Sequence, residues 1–169
     1  FACTAVDIHT STEIIINIGN VLDAVQATIA VPGVFPPKEI GDYRLVDGGV
    51  LDPVPAALAR HLNPALPVIA VSLTPEPEKW IQLPPIQLPA ALPIPSPIVD
   101  RIARFRISQA LQIFVKSMDI SSRMLAELRL QIDKPEIIIR PDVVRYGMLD
   151  EVAPSDLIRA GEEAAEYCL

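Results

Sequence analysis

Short apolar runs broken by polar turns fill the first half of the chain, and a long helical spacing fills much of the second. Residues 1–8 and 12–18 are rich in β-forming types, with Glu13-Ile14-Ile15-Ile16-Asn17-Ile18 the strongest run and His9 to Ser11 the turn between them. Asn20 is placed to cap a short helix from Val21 to Ala30. Pro32 and Gly33 end that helix, because proline disfavours the helical region for the residue before it. Residues 44–46 predict a brief strand, and Pro55 to His61 a short helix with proline near its first turn. Pro67 to Leu73 is a continuous apolar run, the pattern of a strand buried on both faces, and Glu136 to Arg140 is a second. A last helix opens at Ser155 with Asp156 in its first turn and is expected to bury Leu157, Ile158, Ala164, Ala165 and Leu169. Strands alternating with helices predict an α/β fold, a layered and mostly parallel sheet flanked by helices.

Two segments separate those last two strands. Ile81 to Val99 has no charged residue, yet Pro84, Pro85, Pro89, Pro93, Pro95 and Pro97 exclude a continuous helix, since each interior proline costs about 3 kcal/mol. The expectation for 81–97 is an extended, partly polyproline loop. It reads either as a semi-rigid connector or as an apolar lid near an active site. From Ile98 onward, Ile102, Phe105, Leu111, Phe114, Met118, Leu125, Leu128 and Ile132 keep helical spacing. They predict one amphipathic helix, or two in series, over 98–132, with Arg101, Arg104, Lys116, Arg123 and Arg129 mostly solvated. Its apolar stripe is a docking face for the core or an interface before it is a lipid site.

Composition narrows the function classes. Half the residues are apolar but only 5% are aromatic, so Ile, Val, Leu and Ala must build the core. A formal charge of -7 argues against nucleic acid as a partner, which calls for a basic face, and gives no polybasic membrane anchor. Cys3 and Cys168 are too sparse for a disulfide framework, and each is expected as a small buried hydrophobe. His9 and His61 have no metal-ligand spacing. Asp7, Asp52, Asp142 and Asp150 read as turn residues rather than a metal cluster, so neither metal nor cofactor is expected.

Asp47 is the main chemical candidate. It sits in Arg44-Leu45-Val46-Asp47-Gly48-Gly49-Val50-Leu51-Asp52-Pro53, between an apolar triplet and two glycines. Glycine permits positive φ or a close approach of backbone, so the carboxylate is displayed at a sharp strand-end turn. The alternative is an Asx turn, in which Asp47 bonds the backbone two residues on.

Upstream runs Asp23-Ala24-Val25-Gln26-Ala27-Thr28-Ile29-Ala30-Val31-Pro32-Gly33-Val34-Phe35-Pro36-Pro37. A small-residue helix leading to Pro-Gly-x-Phe-x-Pro and then Asp-Gly-Gly resembles the second half of the patatin-like phospholipase family. The opening Phe1 to Asp7 and the segment Ile139 to Asp142 resemble it more loosely. The resemblance implies that Asp47 is the base of a Ser–Asp dyad, with Gly48, Gly49, Pro32 and Gly33 as supporting residues. It also implies hydrolysis of ester-linked acyl lipids without a metal. Ser11, Ser72, Ser96, Ser108, Ser117, Ser121, Ser122 and Ser155 all lack a glycine two residues before and two after, the elbow that exposes such a nucleophile. The chain is therefore expected to be the C-terminal portion of one patatin-like domain over 1–169, continuing a longer sequence that carries the serine and the first strands. Alone it should be catalytically silent, and either a partner chain with the missing half or a dimer should cover its exposed strands. The expected surroundings are cytoplasmic or membrane-peripheral, with peripheral membrane contact. The alternative is a non-catalytic scaffold for assembly or lipid binding.

Overall fold

The computed structural model describes residues 1–77, 80, 100–146 and 151–168, with side chains omitted for 100–109, 111 and 112. The Pro-rich segment 81–97, Asp150 and Leu169 lie outside the described residues.

Four strands form the first sheet, in the order β2-β1-β4-β3: β1 Cys3–Asp7, β2 Thr12–Ile16, β3 Lys38–Ile40 and β4 Tyr43–Asp47. Every pairing in it is antiparallel. The expectation of a mostly parallel sheet fails here for a reason of connection length. Residues 8–11 join β1 to β2, and Gly41-Asp42 join β3 to β4. Such short links can only reverse the chain, whereas parallel neighbours need a crossover of a dozen residues or more. The parallel pair is β5 Ile69–Val71 with β6 Ile137–Ile139, and the chain between them includes the 34-residue helix α3, Asp100–Asp133.

Asp7 fixes the β1–β2 reversal and the start of β4 together. It is 2% exposed, and Oδ2 accepts from the Thr10 amide at 3.1 Å and the Thr10 hydroxyl at 2.7 Å. Its Oδ1 accepts from the Arg44 amide at 3.0 Å. These donors favour the ionised form and hold its pKa below the usual carboxylate range, the Thr10 hydroxyl contributing most.

Helix α1, Val21–Thr28, starts at Asn20, whose Oδ1 accepts from the Leu22 amide at 2.8 Å as expected of a cap. Its small buried face, Ala24 and Ala27, lies on the sheet. Ala5, Ala27 and Leu45 form the centre of this core, with Ile14, Ile16 and Ile40 packed around it. Small residues let the helix approach closely, and Lys38 of β3 pins its outer side through Asp23 at 2.6 Å.

The second half is organised around α3. Among its described side chains, Val115, Ala126 and Leu130 are buried. Helix α2, Ala56–Leu62, packs against it, and Arg60 donates to the terminal carbonyls of Asp133 at 2.6 Å and Lys134 at 2.9 Å. These carbonyls have no partner inside the helix, so the guanidinium caps it. Arg140, just after β6, bridges Glu127 of α3 at 2.8 Å and the Thr74 carbonyl at 2.9 Å.

Burial differs from expectation in three places. Ile69 and Val71 of β5 are 51% and 54% exposed, while Val68 and Ala70 are buried; the strand alternates because its pair packs on one face. Helix α4, Pro154–Cys168, has no buried residue, and Leu157 and Ile158 point outward. It meets β6, and the partly covered positions include Ala160, Gly161, Ala164 and Ala165. Cys3 is partly buried, with Sγ 3.5 Å from the Ala24 carbonyl, but Cys168 is exposed, so only Cys3 approaches the expected role.

Candidate active site at the Asp47 turn

Strand β4 ends at Asp47 and passes directly into a 3₁₀ turn, Gly48–Val50. The strand end is held from two sides. Ala5 of β1 is the register partner of Asp47, and the Asp47 amide donates to the Ala30 carbonyl at 3.0 Å. That carbonyl belongs to the chain leaving α1, so the segment before Pro32 and Gly33 meets the turn through backbone. Sequence pattern alone could not identify Ala30, because any residue offers the same carbonyl.

Asp47 caps the turn with one oxygen: Oδ1 accepts from the Gly49 amide at 2.7 Å. The Asx geometry anticipated as an alternative is therefore present. It occupies one of the two carboxylate oxygens, and among the described residues Oδ2 accepts no hydrogen bond. Burial pushes the Asp47 pKa above the ordinary aspartate value, with the Gly49 amide opposing. A half-buried carboxylate with one oxygen fixed and the other open can accept a proton at a defined position.

The two glycines support the turn in different ways. A Cβ on Gly48 would lie 2.7 Å from the Thr4 carbonyl oxygen and 2.9 Å from its carbon, inside the backbone of β1. A Cβ on Gly49 would meet only the Asp47 carboxylate, 3.0 Å from Oδ1. Gly48 lets the turn lie on β1, and Gly49 leaves the Asp47 side chain its position.

Gly33 has φ 83°, in the left-handed region that favours glycine. Gly33→Val is expected to lower stability by about 1–3 kcal/mol because a branched side chain strains that conformation. Urea denaturation of the variant measures it.

The other candidates are dispersed. His9 and His61 are exposed on separate elements. Asp52 makes its own turn, accepting from the Val54 amide at 3.2 Å. No group of acidic, His or Cys side chains among the described residues could hold a metal ion. Ser72 is fully buried, and its hydroxyl reaches the Thr74 carbonyl at 3.5 Å. No described serine hydrogen-bonds Asp47. Sequence reading missed Arg129, expected in solvent, whose Nε lies 3.6 Å from the buried Asp52 carboxylate.

The class that this region resembles is given by residues 4–60, from β1 into α2, which match the family model of patatin-like phospholipases. Two relatives extend the likeness to the whole chain. An uncharacterized NTE family protein of Mycobacterium bovis is 30% identical over 174 residues, covering 100% of this chain and 28% of that protein. A counterpart in Mycobacterium tuberculosis is also 30% identical, with the same coverage. A second uncharacterized NTE family protein of Mycobacterium bovis is 38% identical over 73 residues, 43% of this chain and 20% of that protein. The chain spans 28% of the length of the first two.

Proposed function

We propose that the chain supplies the base of a serine lipid acyl hydrolase, and that Asp47 is that base. The observation that carries the reading is the Asp47 carboxylate itself, displayed at a strand end with Oδ1 fixed by Gly49 and burial favouring proton uptake. Serine is a weak nucleophile without an adjacent base. Asp47 would take the hydroxyl proton as the serine oxygen attacks the acyl carbonyl and would return it to the departing alcohol. Water, deprotonated in the same way, would then release the acid.

The serine lies outside residues 1–169 in this reading, which form the C-terminal portion of one patatin-like domain. The remaining strands of a layered, more parallel sheet would come from the same outside sequence. Residues 1–169 alone would then be silent. The substrates are ester-linked acyl lipids, reached by peripheral contact with a membrane surface; no helix among the described residues is long and apolar enough to cross one. A fluorophosphonate probe, applied to the protein at its full natural length and mapped by peptide mass spectrometry, tests the assignment. Label on a serine outside residues 1–169, slowed by Asp47→Asn, supports it. Absence of label on any serine sinks it and favours the second reading, a non-catalytic scaffold. The observation behind that second reading is the Asp47–Gly49 bond, which a purely structural turn would also make.

A further inference from the structure

The Asp47 turn is anchored at both ends by different parts of the chain. Its start is held by β1 and the Ala30 carbonyl. Its exit is Asp52, only 4% exposed, whose amide donates to the Gly48 carbonyl at 3.0 Å, as does that of Leu51. The Asp52 side chain has two partners of its own. Oδ1 accepts from Val54, and Oδ2 faces Arg129 on α3, the helix that packs against the turn. Glu13 of β2 and Asp133 of α3 bring further negative charge. Burial pushes both Asp52 and Glu13 above the usual carboxylate range, and Arg129 opposes both shifts. Asp133 has one buried oxygen, Oδ2, without a partner. Arg129 thus places a cation 3.6 Å from the buried Asp52 carboxylate at the exit of the turn, where an unpaired charge would be costly.

We propose that Arg129 is a positioning residue for the Asp47 turn, holding its exit through Asp52 and thereby coupling α3 to the candidate base. The inference rests on the reading of Asp47 as that base. The coupling is geometric: burial raises the Asp47 pKa and the Gly49 amide opposes it, while Arg129 reaches the turn through Asp52. Displacing a catalytic group by about 1 Å can cost 10²-fold in rate, so a loosened exit should slow chemistry while leaving substrate binding and proton affinity alone.

The test uses the protein at its full natural length, an ester substrate, and amide hydrogen exchange read at Gly49, Leu51 and Asp52. Arg129→Gln should lower kcat about tenfold or more, leave KM within about twofold, leave the acidic limb of the kcat profile in place, and speed exchange at those three amides. Arg129→Lys, which keeps the charge, should restore most of kcat. Should Arg129→Gln fail to fold, Asp52→Asn with Arg129→Gln removes both charges and leaves neither buried alone; it should fold and remain slow. Wild-type kcat per folded molecule in either variant, with a lower Tm alone, would overturn the proposal and leave an ordinary ion pair. If Asp47→Asn keeps wild-type turnover, the reading of the base fails instead, and the exchange at the three amides still decides the coupling.

Discussion

Asp47→Asn is expected to lower ester turnover of the protein at its full natural length by about 10²–10⁴-fold, the range for losing acid–base assistance. The substitution is suited to the geometry. Asn keeps an oxygen for the Gly49 amide, now 2.7 Å from Oδ1, so the turn survives while the proton acceptor is lost. p-Nitrophenyl ester hydrolysis by the folded variant measures the effect, and near-normal rates would end the assignment. In the wild type, activity should rise with pH as Asp47 ionises, with its acidic limb above that of an ordinary aspartate because burial raises the pKa. Stability should move the other way. The folded state holds the Asp47 proton more tightly than the unfolded chain, so this group adds stability as pH falls from the folded pKa toward the unfolded one. Asp47→Asn should remove both dependences, which paired kcat and urea-denaturation profiles will read.

Local features were legible because neighbouring residues determine them. Asn20 predicts its cap from the backbone geometry of a helix start, and Asp-Gly-Gly predicts a strand-end turn from the absence of Cβ atoms. The short turn at His9 to Ser11 was legible and already implied a reversal, but β3, Lys38–Ile40, was not, so the second reversal and the order of the sheet were missed. The runs at Pro67 to Leu73 and at Ser155 onward show why burial failed. An apolar strand or helix declares that it can be covered, whereas the faces actually covered belong to its neighbours. Charge partners failed in the same way. Asp52 reads as a turn residue beside Pro53, and it is one; Arg129 meets it only because α3 lies against the turn. The candidate base was thus readable from the Asp-Gly-Gly turn together with the Pro-Gly-x-Phe-x-Pro segment upstream of it, and the supports of its turn at Ala30, Thr4 and Arg129 were not.

Gly48→Ala and Gly49→Ala should separate the two roles of the glycine pair. The methyl at Gly48 would enter the backbone of Thr4, a buried residue of a strand paired on both sides. Backbone there cannot rotate aside, so the turn must lift from β1. Stability should fall by about 1–3 kcal/mol, the usual cost of overpacking. Lifting the turn also displaces Asp47, and about 1 Å of movement can cost 10²-fold in rate. Among the described residues, the methyl of Gly49→Ala meets only the Asp47 carboxylate. Its denaturation midpoint should stay close to wild type, while the crowded carboxylate gives way and kcat falls. Urea denaturation and ester hydrolysis on the two variants would show the contrast. Equal stability losses would mean that the turn yields as a unit, and an unchanged rate in stable Gly49→Ala would mean that the position of Asp47 does not matter to the reaction.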